Sequence, residues 1–183
     1  MPSLQPPVYQ ASSSEIEGWL NKLVDQLVAA GLGEFIFVGI IRGGDTLAKR
    51  LSSAVAERTE YTPPVYHIDI TLYRDDLYTG LEHLSLGGSN LPLTVDQQKI
   101  VLVDDVLFTG RTIRAAIQEV MDYGRPEWIK LLVLVDRGCR ELPIQPDFTG
   151  AVLECPKTAK VLVSLSESGE EDRVDVQIGA YTQ

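Results

Sequence analysis

The stretch from Ile100 to Thr112 limits the possible folds more than any other in this chain. Four apolar residues, Ile100 to Val103, run into the adjacent carboxylates Asp104 and Asp105. Val106, Leu107 and Phe108 follow, and then the polar turn Thr109-Gly110-Arg111-Thr112. A short apolar run closed by turn residues reads as a buried strand. From Arg111 to Met121, Ile113, Ala116, Ile117 and Val120 recur at helical spacing. The turn therefore joins the carboxyl end of a strand to the amino end of a helix, where the first backbone N–H groups lack internal partners and the dipole favours an anion. The turn from Thr109 to Thr112 is thus a candidate phosphate cradle, and Gly110 lets its backbone approach closely. Asp104 and Asp105 repel a phosphate but accept hydrogen bonds from neutral hydroxyls, for which the vicinal hydroxyls of a ribose are the natural donors. Taken alone, the acidic pair also fits solvated strand-end acids or the metal pocket of a doubly wound phosphoacceptor domain.

The remaining segments repeat this alternation. Ser14-Glu15-Ile16-Glu17 has the pattern of a capping box and predicts a helix to about Ala30, with Ile16, Leu20, Leu23 and Leu27 on one face and Gly31 as its stop. Met1 to Ser14, with its prolines and serine triplet, reads as an arm ahead of a single domain from residue 15 to 183. A strand is expected over Phe35 to Ile41, then Arg42-Gly43-Gly44 and a helix from about Asp45 to Glu57. A further strand is expected over Val65 to Thr71. From about Tyr73 to Leu93 neither period holds, and so long an excursion inside a compact domain is expected to be a mobile lid. Ile129 to Val135 reads as a buried strand ending in Asp136-Arg137-Gly138, and shorter strands are expected at Ala151 to Leu153, Val161 to Leu165 and Val174 to Ile178. Strands alternating with helices predict an α/β domain with a mainly parallel central sheet flanked by helices. Ligands of such sheets gather at the strands' carboxyl ends, where Arg42 to Gly44, Asp104 to Thr112 and Asp136 to Gly138 would converge.

Composition narrows the partners. At 183 residues the chain has the size of one domain, and its apolar runs are too short for a membrane span. The amino terminus lacks the charged and apolar regions of a signal peptide. Cys139, Cys155, His67 and His83 make neither a metal-ligand cluster nor a disulfide framework, and a reducing cytoplasm is the expected location. A net charge of −10 argues against a general nucleic-acid or anionic-membrane surface. His67 and Cys155 read as structural, Trp19 and Trp128 as packing or subunit-contact residues, and Arg125, Lys130 and Arg140 as surface or interface charges.

The apolar strand, acidic pair and Thr-Gly turn resemble the diphosphoribosyl-binding motif of the type I phosphoribosyltransferases. Asp69 to Asp76, Gly110 to Thr112, Gly124 to Pro126, Val135 to Gly138 and Arg140 to Pro143 are similar to the PyrR family, over roughly Gly39 to Gly150. That resemblance implies a uracil phosphoribosyltransferase of pyrimidine salvage, which makes UMP and diphosphate from uracil and phosphoribosyl diphosphate, with Mg²⁺ arriving bound to the substrate rather than to a protein cage. It also implies a homodimer or larger homo-oligomer. Asp104 and Asp105 would hold the ribose hydroxyls, and Val106, Leu107, Phe108, Thr109, Gly110, Arg111 and Thr112 the 5′-phosphate. Arg42, Gly43 and Gly44 would meet the diphosphate together with Arg74 on the lid, and Val135, Asp136, Arg137 and Gly138 the base, largely through main-chain groups. Purine enzymes of the hypoxanthine type place an aspartate just before the threonine of this loop. Phe108 stands there instead, which favours a pyrimidine, with adenine or an orotate-like base as the alternatives.

Regulatory members of the PyrR family also bind pyrimidine leader RNA as UMP-sensing attenuators, through basic and His residues. Here the first helix offers only Lys22, and Cys139, Gln145 and Ala151 stand where the family has His, Arg and Lys. Each missing phosphate contact weakens affinity and flattens its salt dependence, so the sequence speaks for an enzyme before an RNA-binding regulator. Asp45 and the absence of a threonine also set Ile41 to Asp45 apart from the family's first loop.

Overall fold

The computed structural model describes residues 8–70, 88–166 and 171–178. Its centre is a five-stranded, wholly parallel sheet of β2 (Ile36–Ile40), β3 (Val65–Ile68), β4 (Lys99–Leu107), β5 (Trp128–Asp136) and β6 (Phe148–Val152), in the order β3-β2-β4-β5-β6. Successive side chains on a strand point to opposite faces. Phe37, Val101, Val103, Leu132 and Leu134 therefore enter one core, and Ile36, Val38, Ile40, Ile100, Leu102, Leu131 and Val133 enter the other. Both sets are apolar because both faces are covered, which is why these strands read as continuous hydrophobic runs.

Helices α1 (Ser13–Ala29) and α2 (Gly44–Ala56) cover the first face, and α3 (Arg111–Asp122) covers the second. The capping box of α1 lies two residues earlier than expected. Ser12 is the N-cap, its hydroxyl accepting from Glu15 N–H, while the Glu15 carboxylate accepts from Ser12 N–H at 2.8 Å. The apolar face of α1 goes into the core through Ile16, Leu23, Val24 and Leu27, and Trp19 and Trp128 pack on the same cluster.

A second sheet, β1-β8-β7, is antiparallel and joins β1 (Tyr9–Ala11), β7 (Ala159–Ser164) and β8 (Arg173–Ile178). Within the stretch read as an arm, Tyr9 to Ala11 pair with Val174 to Val176, and Ala11 is buried. Arg50 of α2 holds this sheet's connection to the body through a paired contact with Asp172, at 2.5 and 2.9 Å.

Most of the excursion from Tyr73 to Leu93 lies outside the described residues. Its last part is anchored: Asn90 N–H donates to the His67 carbonyl at 3.0 Å, the Asn90 side chain accepts from His67 N–H, and the Ser89 hydroxyl accepts from Asp69 N–H. No helix among the described residues is long and apolar enough to cross a membrane.

Candidate active site

Strand β4 continues past the acidic pair to Leu107, beyond the point where its apolar run ends. Asp104 and Leu107 stay in register with Val133 and Asp136 of β5, so the acids are held by a central strand and not by a loose turn. Asp104 is buried, at 5% exposure, and its Oδ1 accepts from Asp105 N–H at 3.1 Å.

The two acids, within hydrogen-bond reach of one another, differ in their surroundings. Asp104 lines a cavity of about 330 Å³ together with residues Val106 to Ile113 and Glu141. Asp105 lies beneath the first loop, where a methyl group on Gly43 would come within 2.5 Å of its Oδ2. Burial pushes the Asp105 carboxyl above the usual carboxylate range and the charge of Asp45 adds to this, against hydrogen bonds from Val106 N–H and Asp104 that pull it down.

Gly110 caps α3 in a left-handed conformation, φ 90°, that a side chain would strain. The first intrahelical bond of α3 runs from Arg114 N–H to the Gly110 carbonyl at 2.9 Å. The residues before it, Thr109 to Ile113, line the cavity, which gives an anion the helix amino end expected from the sequence. The Thr109 hydroxyl accepts from Arg111 N–H at 3.3 Å, and its carbonyl accepts from Glu141 and Leu142 N–H. Glu141 thereby reaches the cavity wall, paired with Arg111 at 2.8 Å and Lys157 at 2.7 Å, and these two cations hold its carboxyl below the usual range.

The first loop, Arg42 to Gly44, packs on the end of β4 through absent side chains. A methyl on Gly44 would lie 2.2 Å from the Val103 carbonyl oxygen. The peptide between Ile41 and Arg42 is cis, Arg42 is exposed, and Gly43 N–H donates to Asp45 Oδ1 at 3.2 Å. Asp45 thus serves the loop's own turn.

In the third loop Val135 is buried within β5, and the Asp136 carboxylate accepts from Gly138 N–H at 2.9 Å and from Arg140 at 2.6 Å. Arg137 takes a position that the sequence did not announce. It is 4% exposed, it donates to the carbonyls of Ala159 and Pro156, and its guanidinium lies 3.9 Å over the Phe108 ring. Its side chain braces the loop from behind. Phe108 is therefore the platform for a buried cation. Arg140, read as a surface or interface charge, is partly buried among the loops, and Glu141 was not singled out at all. An acid and an arginine at Asp136 and Arg140 are the one local hint of the ion pair.

The structure brings together Arg42 to Gly44, Asp104 to Thr112 and Val135 to Gly138 at the carboxyl ends of β2, β4 and β5. Arg74, expected to meet the diphosphate, lies outside the described residues. Among the described residues no group of three or more His, Cys, Asp or Glu is arranged to hold a metal.

Residues 8–165 match the family model described as a phosphoribosyl transferase domain. The chain is 48% identical over 159 residues to the bifunctional protein PyrR of Akkermansia muciniphila, covering 85% of this chain and 87% of that one. It is 48% identical over 149 residues to the bifunctional protein PyrR of Bacillus velezensis, with coverage of 80% and 82%. Among solved structures, the hypoxanthine phosphoribosyltransferase of Trypanosoma cruzi superposes with a TM-score of 0.69 at 15% identity, over 96% of this chain and 98% of that one, which is a likeness of fold.

Proposed function

The chain belongs to the phosphoribosyl transferase family, among its PyrR proteins, and from that membership we propose that it joins uracil to the anomeric carbon of phosphoribosyl diphosphate, forming UMP and releasing diphosphate. The observation that carries the reading is the β4 strand end. A buried acid, Asp104, and a helix amino end built from Thr109 to Ile113 share one cavity, so a hydroxyl-accepting group and an anion cradle stand where a ribose 5-phosphate presents both.

The roles follow from the charge that develops. As the bond to diphosphate breaks, the sugar passes through an oxocarbenium-like state, so the protein must hold the ribose rigidly and stabilise the departing anion. Asp104, with Asp105 beside it, accepts hydrogen bonds from the ribose hydroxyls. Hydroxyls and amides from Thr109 to Thr112 hold the 5′-phosphate, and their fixed position sets that of the ring. The main chain of Arg42 to Gly44 receives the diphosphate, with Arg42 adding positive charge. Arg74 is assigned to the same anion. Bound with the diphosphate, Mg²⁺ supplies charge neutralisation. The donor set fits a cation carried largely by substrate oxygens, since the described acids offer a pair and not a cage. Val135 to Gly138 present main-chain groups to the base, with the Asp136 carboxylate fixing the turn from within.

The family's second activity, RNA attenuation, receives less support here. Lys22, the single lysine of α1, donates to the Gly150 carbonyl at 2.9 Å and so is tied to the fold. Calorimetric titration of phosphoribosyl diphosphate with Mg²⁺ into wild type and an Asp104→Asn, Asp105→Asn double variant tests the reading. Binding by wild type and its loss in the variant is expected, and wild-type affinity in the variant would remove the ribose assignment.

A further inference from the structure

Arg140 ties the third loop to the loop that follows β4, yet the roles above leave it without one. Its side chain is only 14% exposed. Nη2 donates to Asp136 Oδ2 at 2.6 Å. Nη1 donates to the Phe108 carbonyl at 3.1 Å and the Gly138 carbonyl at 3.3 Å, and Nε to the Ile144 carbonyl at 3.0 Å. One guanidinium thus joins a carboxylate and a carbonyl of the base loop to a carbonyl of the phosphate loop and to the segment that covers Gly110. The other oxygen of Asp136 accepts from Gly138 N–H, so the pair closes the base loop on itself as well as on its neighbour. Arg137 adds a parallel link, with its N–H on the Leu107 carbonyl and its guanidinium on the Phe108 ring.

We propose that Arg140 is a positioning residue for base recognition, fixing the Asp136–Gly138 loop on the phosphate loop so that the base-facing main chain is set by the position of the 5′-phosphate. The inference rests on the transferase reading and adds to it a coupling between two subsites. A planar fork suits four acceptors spread around it, whereas an ammonium presents its donors from one point and cannot reach them together. A base read by main-chain groups makes the loop's exact placement the determinant of affinity, because a carbonyl or amide that moves by a fraction of a bond length loses its hydrogen bond. A ligand without a base engages the phosphate loop alone and does not sense the link.

Full-length wild type, Arg140→Gln and Arg140→Lys are titrated with UMP and with ribose 5-phosphate, alongside melting temperatures and, with uracil as acceptor, KM and kcat. Loss of a charge-assisted bond corresponds to about a 10- to 100-fold change. UMP affinity is expected to fall by that factor in Arg140→Gln and KM for uracil to rise with it, while ribose 5-phosphate affinity stays close to wild type. Arg140→Lys is expected to recover melting temperature more fully than UMP affinity, and it decides the question on the same ratio should Arg140→Gln fail to fold. Parallel loss of both affinities would show a general structural role and overturn the proposal, as would unchanged UMP affinity. If wild type prefers another nucleoside monophosphate, the choice of uracil fails, and the comparison with that nucleotide still decides the role of Arg140. Wild type that binds neither ligand overturns both.

Discussion

Replacing Gly44 by alanine puts a methyl carbon 2.2 Å from the Val103 carbonyl oxygen, 3.0 Å from its carbonyl carbon and 3.1 Å from Asp104 Cα. All three are backbone atoms of β4, which is hydrogen-bonded to β2 and β5 on its two sides, so none can swing aside. An ordinary carbon–oxygen contact is about 3.3 Å, so the first loop and the acidic strand end must part by about 1 Å. Overpacking of that kind costs about 1–3 kcal/mol, or a fall of about 2–12 °C in melting temperature at about 2–4 °C per kcal/mol for a chain of this size. The displaced groups are those assigned to the diphosphate and the ribose, and a misplacement of about 1 Å costs about a hundred-fold in rate. Gly18, inside α1 with no atom within 4 Å of an added methyl, is the control: alanine there is expected to stabilise by about 0.5–1 kcal/mol. Thermal melts and kcat/KM for phosphoribosyl diphosphate on both variants provide the comparison. Wild-type stability and kcat/KM in Gly44→Ala would refute the close packing of loop on strand, and so would equal damage from Gly18→Ala.

Two of the perturbed carboxylates, Asp105 and Asp172, give opposite pH signatures. Burial raises the Asp105 pKa, so the stability it contributes is full below the unfolded value of about 3.9 and declines as pH rises towards the folded value. Asp105→Asn is therefore expected to melt above wild type at neutral pH, with the gain shrinking towards pH 4 and substrate binding impaired. Coincident melting curves across that range would count against it. At Asp172 burial acts to raise the pKa, but hydrogen bonds from Arg50 and Ser166 N–H and the Arg50 charge outweigh it, and the result is lowered. Its contribution is present above the unfolded pKa and lost as pH falls through the folded one, so Asp172→Asn is expected to destabilise at pH 7 and to match wild type in strong acid. A deficit that persists undiminished at low pH would assign the effect to packing. Filter binding to a pyrimidine leader RNA is expected to be weak with a shallow salt slope; tight binding enhanced by UMP would restore the regulatory reading.

The parallel core was legible because a sheet covered on both faces leaves a continuous apolar run, as in Ile100 to Val103 and Leu131 to Val135. The phosphate turn was legible because its chemistry is local: Gly110 and its flanking threonines lie within one strand-loop-helix. What escaped depended on distant partners. Tyr9 to Ala11 are a strand because β8 lies beside them, and nothing in three residues near a terminus records that. The acids looked like a strand's end, whereas β5 continues the ladder past them. Arg140 carries the composition of a surface residue, and its burial exists only where loops from Phe108, Asp136 and Ile144 converge. Arg137 was read only as part of a base loop acting largely through its main chain, and the acceptors of its side chain, the carbonyls of Pro156 and Ala159, have no local pattern pointing to them.

Diphosphate release from phosphoribosyl diphosphate with Mg²⁺, with uracil, adenine, hypoxanthine, guanine and orotate offered one at a time, tests the transferase reading most directly. Release with uracil alone, with UMP as the matching product, is the predicted result. Release with a different base would keep the chemistry and overturn the assignment of the Val135 to Gly138 loop. A protein that binds UMP but releases no diphosphate with any base would contradict the transferase reading itself.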